Sequence, residues 1–171
     1  LKDIRKKYPL TKFFISPRHP QRSKKIFNLL KSQNLDAKYE SALKNNNYNF
    51  LIIDSFGKMS EFYSKSDIVF LGGSFTKNGG HNPIEAAVTK CAILTGPNVF
   101  NWQNLFEDMN DKNSCIMVDS PKELKTKILH LMDNKDLIKN LKNNASNYAK
   151  QIFFDEEKLL NLLKRKLSSN A

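Results

Sequence analysis

The 171-residue chain is long enough for one domain that buries most of its surface, and we expect a single domain over 1–171. Its hydrophobic content of 40% and charged content of 26% are typical of globular proteins, and no apolar run approaches the ~20 residues of a membrane-spanning helix. The formal net charge of +11 is compatible with nucleic acid, an anionic membrane surface or an anionic small molecule as partner. Because much of this charge is lysine mixed with asparagine, it equally fits a compositional bias of exposed positions.

The chain start does not resemble a signal peptide, and the two cysteines lead us to expect a reduced, cytosolic setting. The first seven residues include basic side chains but lack the apolar stretch of a signal peptide. The absence of an initiator Met leads us to expect a fragment or an excised domain. Cys91 and Cys115 are too far apart for a CxxC motif, so we expect both to be small core residues.

Short apolar runs alternate with longer amphipathic stretches along the chain. In chain order, the predicted strands are 13–15, a weaker one at 37–39, 50–53, 68–71, 92–94 and 116–118. The predicted helices are 21–32, 58–65, one opening near Pro83, 102–109, 121–132, 137–151 and 156–167. Continuously apolar strands are typical of a sheet covered on both faces. The pattern therefore predicts a Rossmann-like, doubly wound, mostly parallel α/β fold.

In such sheets ligands bind beyond the carboxyl ends of the strands, where three loops are expected at 16–21, 54–59 and 72–83. The third loop is rich in glycine, which permits tight turns and close approach of a ligand to the backbone. The helix that follows presents N–H groups and the positive end of its dipole, a typical phosphate site. Its spacing matches neither a Walker A loop nor a dinucleotide fingerprint.

The polar residues of the third loop allow two interpretations. Asn82 is a suitable N-cap ahead of Pro83, Glu85 is placed to accept hydrogen bonds from ribose hydroxyls, and Ser74 and His81 could add donors. Alternatively, the glycines merely end a strand, Glu85 favours the helix dipole, and His81 is an ordinary surface residue.

The other two loops carry weaker signals. Arg18, in a Pro-rich turn behind Pro17, is suited to two-pronged contact with a phosphate, or it pins the loop by bonding to carbonyls. Gly57 permits close backbone approach and Met59 offers an adaptable apolar surface to a base, although both also fit a simple turn and helix start. The chemistry alone predicts an anionic, nucleotide-like ligand.

The three loops, in this order and spacing, resemble those of the 3-deoxy-D-manno-octulosonic acid (Kdo) transferases of lipopolysaccharide synthesis. The matching strings are Pro17-Arg18-His19-Pro20-Gln21-Arg22, then Asp54-Ser55-Phe56-Gly57-Lys58-Met59 with Phe62-Tyr63 and Ser66-Asp67, then Phe70-Leu71-Gly72-Gly73-Ser74 through Gly79-Gly80-His81-Asn82-Pro83-Ile84-Glu85, and finally Gly96-Pro97 and Phe100-Asn101. The resemblance covers roughly 13–109 with specific motifs, and the remainder only by its helix pattern.

This resemblance implies the C-terminal half of a GT-B glycosyltransferase. Such enzymes pair two Rossmann-like domains: the C-terminal one binds CMP-Kdo, and the N-terminal one receives the lipid A precursor, lipid IVA. Transfer inverts the anomeric carbon and requires no metal, and the donor CMP-Kdo is a substrate, so no cofactor is expected. The general base is a glutamate of the N-terminal domain, so no catalytic residue is expected in this chain. The resemblance also implies that the whole enzyme lies at the cytoplasmic face of the inner membrane, held there by its N-terminal part. This chain itself is expected to be soluble.

By the same resemblance, Pro17 and Arg18 would contact CMP, the backbone of 57–59 would frame the cytidine, and 82–85 would hold phosphate and ribose. Two departures stand out, since Lys58 replaces a common acid and Ala86 a common proline. The complete set of expected donor-site residues is Pro17, Arg18, Gly57, Lys58, Met59, Ser74, His81, Asn82, Pro83, Ile84 and Glu85.

Three other functions remain open at this point. Another GT-B enzyme, or a related sugar-nucleotide epimerase, would use UDP or GDP on the same scaffold. A non-catalytic basic module would bind nucleic acid or an anionic surface, although no recognised nucleic-acid motif occurs and we expect no nucleic-acid partner. A degenerate or split gene product would keep the pocket without activity.

Overall fold

The computed structural model describes residues 1–45 and 47–168, with side chains left undescribed at 158, 159 and 161–168. The strands are β1 (Phe13–Ile15), β2 (Ala37–Tyr39), β3 (Phe50–Ile52), β4 (Ile68–Leu71), β5 (Ala92–Thr95) and β6 (Ile116–Met117). The helices are α1 (Lys2–Lys7), α2 (Ser23–Ser32), α3 (Met59–Ser64), α4 (Ile84–Val88), α5 (Gln103–Asp111), α6 (Pro121–Asp133) and α7 (Lys135–Ser168). Short 3-10 turns precede α2 and α5, at Pro20–Arg22 and Phe100–Trp102.

The chain divides into two compact units, a first unit at Leu1–Phe62 and a second unit that begins at Tyr63. Each contains a three-stranded parallel sheet, in the order β1-β3-β2 in the first and β4-β5-β6 in the second. The predicted parallel α/β class is confirmed, with the strands described as two sheets. The prediction of one domain over the whole chain stays a prediction.

The first unit is built around β3, which is buried along its whole length. Successive side chains of a strand point to opposite faces, so Phe50 and Ile52 pack in one cluster with Leu30 of α2. Leu51 packs on the other face in a cluster with Phe62. The continuously apolar sequence of β3 is thus explained by burial on both faces.

The second unit repeats this arrangement around β5, which is likewise entirely buried. Ile93 belongs to a cluster with residues of α4, α5 and α7, among them Phe106 and Tyr148. Leu94 belongs to a second cluster that includes Leu131 of α6. Helices therefore cover both faces of this sheet, and β5 carries its carboxyl end directly into the loop that starts at Gly96.

Two helical predictions are wrong. The helices expected at 137–151 and 156–167 are one continuous helix, α7, because the residues 152–155 between them contain no Gly or Pro to break it. The sequence pattern also missed α1, a basic turn and a half with a single apolar anchor, Ile4, whose exposure is only 2%.

The cysteines and the hydropathy of the helices match expectation. Cys91 and Cys115 are free and buried, as predicted for core residues, and burial raises the pKa of the Cys115 thiol to about 12. Among the described helices, none combines the length and apolar character needed to cross a lipid bilayer.

Candidate functional site

The first loop leaves β1 and presents an exposed arginine. Arg18 is exposed, and its guanidinium makes no hydrogen bond or ion pair within the described part of the first unit. The alternative that Arg18 pins the loop by bonding to carbonyls is therefore not observed. Pro17 is half-buried and His19 is extended ahead of the 3-10 turn. The turn thus holds an exposed cation at the carboxyl end of a strand, where it can receive an anion.

The second loop is anchored to the end of β2 by its first residue. The carboxylate of Asp54 accepts hydrogen bonds from the backbone N–H of Ser41 at 3.0 Å and from its hydroxyl at 2.5 Å. Gly57 adopts a φ of +77°, and a Cβ there would meet no atom within 4 Å. Glycine is therefore needed at 57 for backbone conformation, and the space beside it is open.

A glutamate that the sequence analysis missed holds the second loop in place. The carboxylate of Glu40 accepts hydrogen bonds from Lys58 Nζ at 2.6 Å and from the hydroxyl of Ser55 at 2.8 Å. The side chain of Lys58 is thus bonded within the protein, and it is the backbone of 57–59 that the resemblance assigns to the cytidine. The only sign of this role in the sequence was the position of Glu40 directly after a strand. Its partners, Ser55 and Lys58, lie 15 and 18 residues further along the chain.

We expect Glu40→Gln to make the stability of the first unit less sensitive to acid. The hydrogen bond from Lys58, followed by that from Ser55, holds the pKa of Glu40 below its ordinary value of 4.5. A group whose folded pKa is lowered stabilises the fold above its unfolded pKa and loses that contribution as pH falls through the folded pKa. Urea titrations should therefore find the variant less stable than wild type at pH 7, with the gap closing below pH 4.5.

The matched control is Asp36→Asn, which removes an exposed carboxylate whose contact with Lys31 is 3.6 Å long. This exposed pair should contribute little. An equal pH dependence for both variants would contradict a special role for Glu40.

The glycines of the third loop are required by backbone conformation. Gly73, Gly79 and Gly80 have φ values of +78°, +79° and +69°, in the left-handed region that other residues rarely adopt. Gly79 and Gly80 are also buried. The loop between β4 and α4 therefore requires glycine at these three positions.

Ser74 serves the protein interior. Its side chain is completely buried, and its hydroxyl donates to the carbonyl of Leu71 at 2.7 Å and accepts from the N–H of Gly96 at 2.8 Å. The prediction that Ser74 donates to a ligand is contradicted, because the hydroxyl proton is already used and no surface is exposed.

The helix start after this loop differs in detail from prediction. The predicted N-cap, Asn82, is wrong by one residue, since Pro83 occupies that position. The side-chain oxygen of Asn82 nevertheless accepts a hydrogen bond from the N–H of Ile84 at 2.9 Å. That bond satisfies an amide that was expected to be free for phosphate. The helix begins at Ile84 behind a buried Pro83 and ends at Val88. Five residues generate only a small dipole, so side chains must supply much of any anion or sugar recognition here.

Two side chains flank that helix start. Glu85 is exposed. Burial of Tyr63 raises the pKa of its hydroxyl to about 12, and the negative charge of Glu85 makes a smaller contribution in the same direction. His81 is half-buried. The second unit therefore presents an exposed amide and an exposed carboxylate at 82 and 85, groups that bind hydroxyls well.

The described residues contain no group of three or more His, Cys, Asp and Glu placed to hold a metal ion. Each unit by itself offers polar groups at the carboxyl ends of parallel strands: a cation in the first unit, and hydroxyl-binding groups in the second. The chemistry that these groups permit is binding of an anionic, hydroxyl-rich molecule.

Comparison with known proteins relates the chain to Kdo transferases. It is 31% identical over 168 residues to the 3-deoxy-D-manno-octulosonic acid transferase of Haemophilus influenzae, which covers 96% of this chain and 39% of that protein. It is 34% identical over 146 residues to the transferase of the same name from Rickettsia prowazekii, covering 84% of this chain and 31% of that protein. The chain thus spans well under half the length of these relatives. No family model matches it.

The fold is similar to that of a solved domain. The C-terminal CMP-Kdo binding domain of WaaA from Acinetobacter baumannii superposes with a TM-score of 0.80 over 86% of this chain and 78% of that one, at 23% identity. The predicted Rossmann-like α/β fold is confirmed, and its assignment to the C-terminal half of a GT-B glycosyltransferase stays a prediction. The resemblance to Kdo transferases noted in the sequence is confirmed as well.

Proposed function

We propose that the chain, a relative of the Kdo transferases over most of its own length, is the donor-binding part of such an enzyme and binds CMP-Kdo. The observation that carries this proposal is the 31% identity over 96% of the chain. Exposed Arg18, Asn82 and Glu85 supply suitable chemistry at strand ends. The complete enzyme would transfer Kdo to a lipid A precursor such as lipid IVA in lipopolysaccharide synthesis.

Each exposed group has a role in this proposal. The guanidinium of Arg18 pairs with the CMP phosphate and stabilises the charge that develops on it as the bond to Kdo breaks. Glu85 accepts hydrogen bonds from the ribose hydroxyls, and His81, Asn82 and Ile84 border the phosphate. The backbone at 57–59 frames the cytosine, with Met59 against the ring.

The remaining steps are assigned to parts outside this chain. A general base in an N-terminal acceptor domain would activate the acceptor hydroxyl, so that displacement of CMP inverts the anomeric carbon without a metal. The same N-terminal part would hold the enzyme at the cytoplasmic face of the inner membrane. The 171-residue chain is therefore expected to bind CMP weakly and to transfer no sugar without that domain.

We expect calorimetric titration to find selective binding of CMP over UDP and GMP. Arg18→Ala and Glu85→Ala should each weaken CMP binding by about tenfold, because each removes a hydrogen bond to a charged or ribosyl group. Lys25→Ala is the matched control for Arg18, since it removes an exposed positive charge from α2 of the same unit and should change affinity little.

The outcomes separate the candidate functions. Preference for UDP would keep the fold but assign a different donor. A drop in affinity as large for Lys25→Ala as for Arg18→Ala would indicate general attraction to a basic protein. Absence of nucleotide binding would refute the donor-binding role of this chain.

A further inference from the structure

The loops that leave β4 and β5 are joined at two points, and the first point lies at their base. The two strands are parallel neighbours with Leu71 opposite Thr95, so their carboxyl ends lie side by side. Ser74 bonds to Gly96 through its hydroxyl, and its carbonyl accepts the N–H of Asn98 at 2.9 Å. The loop 72–83 therefore starts from a fixed position relative to the loop 96–101.

The second point lies at the far end of the glycine loop. The side-chain amide of Asn101 donates to the carbonyl of Asn78 at 3.1 Å. A Cβ on Gly79 would lie 2.3 Å from Nδ2 of Asn101 and 2.8 Å from Cε2 of Phe100. Asn101 thus packs directly against the backbone of the turn, and only glycine leaves room for it.

The contact between Asn101 and Asn78 lies directly before the segment with the candidate ligand-binding side chains. Asn78 directly precedes the left-handed pair Gly79 and Gly80, and the segment 81–85 that carries the exposed amide and carboxylate follows at once. Because only Gly79 and Gly80 separate Asn78 from segment 81–85, the point at which Asn101 holds the Asn78 carbonyl sets where that segment begins.

We propose that Asn101 is a positioning residue of the donor site: its amide holds the turn at 78–80 and thereby places Asn82 and Glu85 for the ligand. This inference rests on the proposed function. The residue acts through the loop, so its removal should weaken binding while the folded unit persists.

The test compares Asn101→Ala with Asn104→Ala, which removes an exposed asparagine from α5, in the 171-residue chain. Asn101→Ala should weaken CMP binding by about tenfold, as expected for one lost hydrogen bond that organises a site. Without nucleotide, it should also accelerate hydrogen exchange of the amides at 79–82, and thermal unfolding should change little. Asn104→Ala should leave all three readouts unchanged. Asn101→Asp, which is nearly isosteric but presents oxygen to the Asn78 carbonyl, provides a second variant should the alanine fail to fold.

A double-mutant cycle with Glu85→Ala separates positioning from direct ligand contact. If Asn101 acts through Glu85, the tenfold loss should shrink to less than about threefold when Glu85 is already absent. Fully additive losses of CMP affinity, or unchanged hydrogen exchange at 79–82, would overturn the positioning role. If the wild-type chain binds CMP and both Asn101 variants bind it equally well, this inference alone is refuted. If the wild-type chain binds no CMP, the proposed function and the donor-site role of Asn101 are refuted together.

Discussion

Gly79→Ala is expected to destabilise the second unit by about 2–5 kcal/mol and to abolish measurable CMP binding. A φ of +79° disfavours any residue with a Cβ by roughly 1–2 kcal/mol. The new methyl would also overlap Asn101 and Phe100, at 2.3 and 2.8 Å, and overpacking of this kind typically costs about 1–3 kcal/mol. Relief of the overlap must displace Asn101 or the turn, and either movement shifts the segment 81–85.

The cost of the left-handed φ can be separated from the cost of the steric overlap by alanine variants of three other glycines. Urea unfolding and CMP titration are measured for each variant. Gly72 has neither a left-handed φ nor a close neighbour, and Gly57 has a φ of +77° with open space. Gly96 lacks the left-handed φ, but a Cβ there would lie 2.7 Å from the carbonyl oxygen of Ser74. We expect the smallest loss of stability at 72, intermediate losses at 57 and 96, and the largest at 79. Wild-type stability and affinity in Gly79→Ala would contradict this account of the loop.

Ser74→Ala is expected to lower the free energy of unfolding of the second unit by about 1–3 kcal/mol, because it leaves the buried N–H of Gly96 without its acceptor. The bond to the Leu71 carbonyl is lost at the same time. CMP affinity should fall only in proportion to any loosening of the loop, since the hydroxyl is fully buried and does not reach a ligand.

Ser74→Cys and Thr76→Ala complete this experiment. Cysteine keeps a weak donor and acceptor of similar size, so it should recover part of the stability. Thr76 is exposed and its hydroxyl donates to Gly73 O at 3.1 Å, so its removal should cost less than that of Ser74. A tenfold loss of CMP affinity in Ser74→Ala at full stability would instead restore Ser74 as a ligand contact.

Continuously apolar runs allowed prediction of β3 and β5 from the sequence, because strands covered on both faces tolerate few polar residues. Glycines at 73, 79 and 80 likewise indicated an unusual loop, since few other residues accept the left-handed region. The specific strings around these glycines indicated a resemblance to the Kdo transferases, and sequence comparison found 31–34% identity to two of them over most of the chain.

The roles of individual polar residues depended on burial and on contacts that are distant in sequence. A serine after a glycine pair can serve a ligand or the backbone, and only the complete burial of Ser74 decided between them. Residue spacing likewise does not predict the hydrogen bond between Lys58 and Glu40. Nor does it predict the one from Asn101 to Asn78, since these residues lie 23 positions apart.

The sequence by itself determined the parallel α/β class, the order of most elements, the loops to inspect and the family that the chain resembles. The tertiary structure decided that α7 is continuous, that the amide of Ile84 already donates a hydrogen bond to the side chain of Asn82, and that Arg18 has no partner within the described part of its unit. The physical reason is that backbone propensity and hydrophobic pattern are local properties of a sequence. The partner of a polar group, in contrast, is set by which strand ends lie side by side, and that is fixed only when the sheets form.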